Sequence, residues 1–343
     1  MRLPDLPEIE AAARLVHAAF GPTPCYAWPL LSARAGGGAV WVKHENHTPT
    51  GAFKLRGGIV FMDRLARERP QIRGVVSATR GNHGQSLAYA GARHGVPVTI
   101  VVPHGNSAGK NAAMRAQGAR LVEHGHDFDE ARVEAARIAA RDGLEYVPSF
   151  HPDLVAGVAT YALELFRQAA DPAPDVLYVP IGQGSGICGC IAARDALGLR
   201  TEIVGVQSTE ADAYARSFAE GRAVETGTAN TRADGMATRV PVPEAVEIIR
   251  RGAARVVTVT DDEVAAAVWA LWEDTHNLAE GAGAAPLAAL LKEGGVAPGR
   301  SAAVVLCGGN MDLALFRDWV LGEGAAAAAT PAAPGRLPVP AVA

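Results

Sequence analysis

The chain alternates short runs of β-branched and aliphatic residues with longer stretches in which apolar residues recur every three or four positions. The runs at 74–78 (GVVSA), 96–103 (VPVTIVVP), 175–181 (DVLYVPI), 201–208 (TEIVGVQS), 255–260 (RVVTVT) and 301–307 (SAAVVLC) each predict a buried strand. RLVEHG at 120–125 and EYVPSF at 145–150 predict two more. The stretches between them predict helices over 6–20, 84–95, 111–118, 127–142 and 153–168, another after Ile187, and a long one from Asp262. Gly143 stands just past the end of the 127–142 helix, where a glycine cap belongs, and Thr260 and Glu263 have capping-box spacing.

Continuous apolar runs mean strands covered on both faces, and strands separated by helices mean parallel crossovers. The expected fold class is therefore α/β, with two three-layer α/β/α domains built on mostly parallel sheets. A discontinuous large domain over 1–45 and 155–322 and a small domain over 46–154 would share a cleft, because such sheets place ligands at the carboxyl ends of their strands. Residues 323–343 (EGAAAAATPAAPGRLPVPAVA) are low in complexity and predict a tail without a core of its own.

Composition removes several function classes. A net charge of -4 gives no electrostatic ground for binding nucleic acid or an anionic membrane. No apolar run approaches the roughly 20 residues of a membrane span. Asp5 and Glu8 lie where a secretory signal would be basic and then apolar, so a cytoplasmic location is expected. Cys25, Cys188, Cys190 and Cys307 are too scattered for a disulfide framework or a zinc knuckle, and the histidines include no HExxH, so no metal is expected.

Four segments carry candidate chemistry. In Glu45-Asn-His-Thr-Pro-Thr-Gly-Ala-Phe-Lys54-Leu-Arg-Gly-Gly58, a turn leads into a helix that begins near a lysine. The partial positive charge of a helix start favours the neutral amine that a nucleophile needs, although a lone lysine is ordinarily a solvated surface cation. Ser77-Ala-Thr-Arg-Gly-Asn-His-Gly-Gln85 follows a strand and opens a helix. Its backbone N–H groups form either an anion cradle or an ordinary turn capped by Asn82. Pro180-Ile-Gly-Gln-Gly-Ser-Gly-Ile-Cys-Gly189 has glycines that let a phosphate approach the backbone, and it also satisfies the dinucleotide pattern GxGxxG. The next strand, however, ends on Gln207, where a ribose would need an acid. Leu306-Cys307-Gly-Gly-Asn310 ends the last strand on a cysteine, a residue that ordinarily packs as a small hydrophobe.

Taken in order over residues 20–320, these segments resemble the serine/threonine dehydratase family of fold-type-II pyridoxal-phosphate enzymes, within the tryptophan synthase β-like superfamily. The first matches the cofactor attachment site at Glu45, Thr50, Ala52, Phe53, Lys54, Leu55, Arg56 and Gly57. The resemblance implies pyridoxal 5′-phosphate held as a Schiff base on Lys54, with Phe53 beside its ring and Asn82 bonded to its 3′ oxygen. It implies that Gly182, Gln183, Gly184, Ser185 and Gly186 grip the phosphate, although Gln183 and Ser185 interrupt the family's glycine run. Cys307 would face the pyridine nitrogen as a neutral partner, leaving a weaker electron sink that suits β-elimination. Ser77, Thr79, Arg80, Gly81 and His83 fall in the loop implied to hold the substrate carboxylate. Arg232-Ala-Asp-Gly-Met-Ala resembles the family's Ala-Asp-Gly segment, and Glu280-Gly-Ala-Gly-Ala its acidic loop near the cofactor.

The implied activity is an ammonia-lyase that removes water and then ammonia from a small β-hydroxy amino acid such as threonine or serine, giving a 2-oxo acid. A homodimer is expected. Arg80 replaces the serine that acts as second-face base in the family's serine racemases, and arginine stays protonated, so racemisation is not expected as the main activity. Arg80 either binds an anionic group of the substrate or braces the loop. Its loop, with Gly-Ser-Gly-Ile-Cys-Gly, is similar to dehydratases linked to hydroxyectoine utilisation, which makes a hydroxyectoine-derived or 3-hydroxyaspartate-like substrate the alternative. Gln207 and Ala213 stand where some members place divalent-cation acids, so that site is not expected. Biosynthetic threonine dehydratases carry a C-terminal effector domain, and with only the Ala/Pro tail here, feedback by isoleucine is not expected. A nicotinamide-dependent oxidoreductase rests on GxGxxG alone.

Overall fold

The computed structural model describes residues 1–169 and 172–321, so the low-complexity segment from 323 lies outside the described residues. In chain order the strands are β1 (Cys25–Ala27), β2 (Ala39–His44), β3 (Val75–Ala78), β4 (Val98–Val102), β5 (Arg120–Glu123), β6 (Glu145–Tyr146), β7 (Val176–Pro180), β8 (Glu202–Ser208), β9 (Arg255–Val259) and β10 (Ser301–Leu306). They form a six-stranded sheet in the order β1-β2-β10-β7-β8-β9 and a four-stranded sheet in the order β5-β4-β3-β6. All pairings are parallel except β1 with β2.

The period-2 pleat explains how the smaller sheet is covered. Val75, Val98, Ile100 and Val102 enter a core with Met62 and Leu87, while Val76, Ala78 and Val101 enter another with Ala131, Ala135 and Ile138. Helices Lys54–Glu68 and Asn82–His94 thus lie on one side and Phe128–Asp142 on the other. This is the three-layer arrangement that unalternated runs predict. On the larger sheet, helices Ser185–Ala196 and Gly281–Lys292 pack against the central strands.

Several elements differ from the sequence pattern. EYVPSF shortens to β6, because Pro148 has no N–H to extend the ladder, and the Val147 N–H makes the last bond, 2.9 Å to Val76 O. Glu280-Gly-Ala-Gly-Ala is a helix start rather than a loop, with Glu280 as N-cap. Its glycine-rich opening and Pro286 hide the helix from a periodicity search. The capping box at Thr260 and Glu263 is present, and the helix begins at Asp261. No helix of the described residues is long and apolar enough to cross a membrane.

A buried ion network fixes the start of the Lys54 helix. Arg56 is fully buried, and its guanidinium donates to Glu45 at 2.7 and 2.9 Å and to Glu164 at 2.6 and 2.8 Å. Lys43 adds a second cation, 2.7 Å from Glu164. The preceding turn is stitched to the end of β10, where the Phe53 N–H donates to Cys307 O at 2.9 Å and Ala52 bridges Gly308. The motif residues Glu45 and Arg56 therefore act as struts for Lys54.

Candidate active site

The carboxyl ends of β3, β7 and β10 open onto one cleft with about 830 Å³ of empty space. The Lys54, Asn82 and Ser185 helices begin at its walls, and Glu280 caps a fourth helix there. The first N–H groups of a helix have no carbonyl partner one turn earlier, so convergent helix starts form a ready anion site. Gly184 makes the turn into the Ser185 helix with φ 96°, in the left-handed region that favours glycine. A Cβ on Gly182 would come within 2.4 Å of Gly235 O, so this backbone admits no side chain.

Lys54 Nζ donates to Ser185 Oγ at 3.1 Å and lies 4.9 Å from the Phe53 ring centroid. Desolvation in the cleft wall pulls its pKa down to about 8, opposed by Cys307 and Glu280. Burial pushes the Cys307 thiol well above its ordinary value, so it stands in the cleft as a neutral group. Asn82 Nδ2 donates to Glu280 Oε1 at 2.7 Å, and Asn82 Oδ1 accepts from Asn310 at 2.9 Å, which fixes the amide's orientation. Burial raises Glu280 to about 7. Burial, helped by Lys54, holds His83 down at about 3, so its ring is neutral.

The sequence pattern places Phe53, Lys54, Thr79, Arg80, Gly81, Asn82, His83, Gly182, Gln183, Gly184, Ser185, Gly186 and Cys307 in the site, and all of them line the cleft. Ser77 does not. Its hydroxyl donates to Val147 O at 2.7 Å inside the sheet, so it ties β3 to the segment after β6. Thr79 Oγ1 accepts from the Gly81 N–H at 2.9 Å and shapes the turn from within. Gln183 presents its backbone as well as its amide, its O accepting from Tyr214 at 3.0 Å. Lys110 and Asp234 also line the cleft, as an ion pair at 2.5 Å. Asp234 lies in the Ala-Asp-Gly segment, but nothing in SAGKNAAMRA marks Lys110 as other than a surface lysine, although it is 8% exposed.

The pattern of the family described as pyridoxal-phosphate dependent enzyme matches residues 16–308. The chain belongs to that family. It is 34% identical over 299 residues to an L-threonine ammonia-lyase of Thermotoga maritima, covering 87% of this chain and 73% of that protein. An L-threonine ammonia-lyase of Geobacter sulfurreducens is 38% identical over 275 residues, 80% of this chain and 68% of that one. The crystal structure of a threonine deaminase from T.th. superposes with a TM-score of 0.83 at 32% identity, over 90% of this chain and 99% of that one.

For this member of the pyridoxal-phosphate family, the residues present fit the cofactor. Glycine backbone at 182–186 ahead of a helix start suits a phosphate, and a lysine leaning toward the neutral amine suits a carbonyl. Buried His83 Nε2 and Glu280 Oε2 have no partner among the described residues, as expected of groups that face a polar ligand. The dinucleotide reading of GxGxxG is overturned by the family match, and Gln207 Oε1 is engaged at 2.9 Å by the Ala215 N–H.

Proposed function

We propose that this chain is a pyridoxal-phosphate-dependent ammonia-lyase that takes water and then ammonia from a β-hydroxy amino acid of the threonine or serine type, releasing a 2-oxo acid, with Lys54 as the catalytic lysine. The observation that carries the residue assignment is the state of the chain's four lysines. Lys43 is held 2.7 Å from Glu164, Lys110 2.5 Å from Asp234 and Lys292 3.0 Å from Glu263. Lys54 has no carboxylate of the described residues within ion-pair distance, lies in the cleft wall, and is the one drawn toward neutrality without such a pair.

Bound pyridoxal phosphate would supply the electron sink for the pair left on Cα when its proton departs. Lys54 Nζ takes and holds that proton, with Ser185 Oγ as its hydrogen-bond partner at 3.1 Å. The Ser185 helix start and the 182–186 backbone would hold the phosphate, and the N–H groups opening the Asn82 helix would receive the substrate carboxylate. Cys307, kept neutral in the cleft wall, would offer the cofactor's ring nitrogen an uncharged partner, which would suit elimination of the β-hydroxyl. Arg80 stands where a second-face base would be needed and cannot release a proton, which argues against racemisation.

Borohydride reduction of the holoenzyme followed by peptide mapping is expected to place the cofactor on Lys54. The same preparation should release a 2-oxo acid and ammonia from serine or threonine. A label on another lysine overturns the assignment.

A further inference from the structure

One cation in the cleft is left without a counterion. Arg80 Nε is buried and makes no hydrogen bond, and no carboxylate of the described residues lies within ion-pair distance of the guanidinium. Of the two acids in the same walls, Asp234 is paired with Lys110 at 2.5 Å, and Glu280 accepts from Asn82 at 2.7 Å through one oxygen while its other oxygen has no partner among the described residues. Arg80 is half-buried, and at Nε the hydration lost to the cleft wall is not replaced by a hydrogen bond from the described residues, which is unfavourable until a partner arrives. A brace for the loop would have its partner inside the protein, and among the described residues Arg80 makes no hydrogen bond or ion pair. The turn is shaped instead by Thr79, and packed by Lys110, whose side chain would meet a Cβ on Gly81 at 2.5 Å.

We infer that the preferred substrate carries a second anionic group beyond its α-carboxylate, and that Arg80 is the specificity-determining residue that binds it. The α-carboxylate has the helix start at Asn82, which leaves the guanidinium for a distal acid. Space supports this. Arg80 also lines an adjoining open space whose walls carry the cations Lys110 and Arg232 beside the acids Asp234, Glu280 and Asp312, the last accepting from Ser107 at 2.6 Å. A threonine or serine side chain ends in a methyl or hydroxyl group and supplies no charge there. A β-hydroxy amino acid with a distal carboxylate, of which 3-hydroxyaspartate is the smallest, supplies the anion and uses that space. The planar fork of arginine matches a carboxylate in two-point contact.

The inference rests on the lyase reading, and the experiment separates the two. With the holoenzyme, kcat/KM is measured for threonine, serine and threo-3-hydroxyaspartate on the parent, Arg80→Gln and Arg80→Lys. Calorimetry gives the Kd of malate, a dicarboxylate without an amino group, against that of lactate. The parent should prefer 3-hydroxyaspartate. In Arg80→Gln the ratio of kcat/KM for 3-hydroxyaspartate to that for serine should fall about 10- to 100-fold, the worth of a charge-assisted hydrogen bond. Malate binding should weaken by a similar factor relative to lactate, and Arg80→Lys should lie between, keeping the charge without the fork. An unchanged ratio, or malate and lactate weakened alike, overturns the substrate inference while the lyase reading stands. If the parent forms no 2-oxo acid from any of the three, the lyase reading itself fails, and this inference with it.

Discussion

The strut beneath Lys54 gives the sharpest stability prediction. Arg56 and Lys43 face Glu45 and Glu164 in a buried cluster whose formal charges balance. Thr23 and Thr160 accept further bonds from Arg56 at 3.2 and 3.0 Å. Replacing Arg56 by Met removes one cation and strands a carboxylate where water does not reach. Removal of one partner from a buried pair costs about 3–5 kcal/mol, a large share of the roughly 5–15 kcal/mol that holds a domain folded. Lysine is a poor substitute, since its point charge cannot fork between two carboxylates. Arg56→Met should therefore shift the urea midpoint by an amount that, at unchanged slope, corresponds to about 3–5 kcal/mol. Arg56→Lys should recover only part of it. In the double variant Arg56→Met/Glu45→Gln the stranded charge is gone, so the loss should be smaller than in Arg56→Met alone. Cofactor content, read from visible absorbance, should fall in step, because Lys54 lies two residues from the strut. A single variant that loses less than about 1 kcal/mol, well under the cost of a broken buried pair, or a double variant less stable than the single, would refute the reasoning.

Cys307→Ser keeps a neutral group in the cleft and should retain cofactor and most elimination, whereas Cys307→Asp should slow elimination by about tenfold or more; an Asp variant kinetically equal to the parent would reduce Cys307 to packing. His83 and Glu280 should give the unfolding free energy opposite pH slopes. His83, held near 3 when folded, takes up its proton on unfolding, so its share of stability is lost as pH falls from about 6.5 towards 3. Glu280, raised to about 7, binds its proton in the folded state, so its share is lost as pH rises from about 4.5 towards 7. Against the parent, His83→Asn should flatten the acid limb and Glu280→Gln the neutral one, each by at most about 1.4 kcal/mol per pH unit, and equal profiles would contradict the burial argument.

What could be read from the sequence follows from how each feature is encoded. Strands such as β4 and β10 are continuous apolar runs and declare themselves. The strand β2, AVWVKH, carries a lysine and a histidine that are both fully buried, because Lys43 is paired with Glu164 and His44 accepts from Trp28 at 3.0 Å. No local rule anticipates charge buried by a partner more than a hundred positions away. The lining of the cleft was legible where its residues are contiguous, since the lysine, the two glycine-bearing loops and the cysteine each occupy one short segment. Lys110 was not, because its meaning depends on Asp234, which folding alone brings to 2.5 Å. Ser77 was misplaced for a related reason: it lies within the strand, and only the pleat decides whether its hydroxyl meets the cleft or Val147.

The ambiguous GxGxxG shows how a pattern shared by two chemistries is separated by what each glycine touches. Gly184 is needed for its positive φ, which turns the chain into the helix. At Gly186 an added Cβ would find Tyr161 Oη at 3.5 Å and the Phe53 ring at 3.7 Å, ordinary contact distances, so this position faces the cleft beside the aromatic wall. Gly189 is a packing glycine, since a Cβ there would lie 2.9 Å from the backbone nitrogen of Ala159, where the Ser185 and Pro152–Gln168 helices cross. A dinucleotide fold asks the same three things of its glycines, a turn, a close ligand approach and tight helix packing. The pattern therefore encodes a phosphate beside a closely packed helix and leaves the rest of the ligand open. Here the neighbours decide it. The end of β8 offers Gln207, already engaged with Ala215, instead of an acid for a ribose. The end of β10 offers Cys307, whose carbonyl is bonded to the Phe53 N–H beside Lys54. A phosphate seated at residues 182–186 would share its cleft with an amine nucleophile and find Gln207 near the end of the next strand, an arrangement that fits a phosphorylated aldehyde.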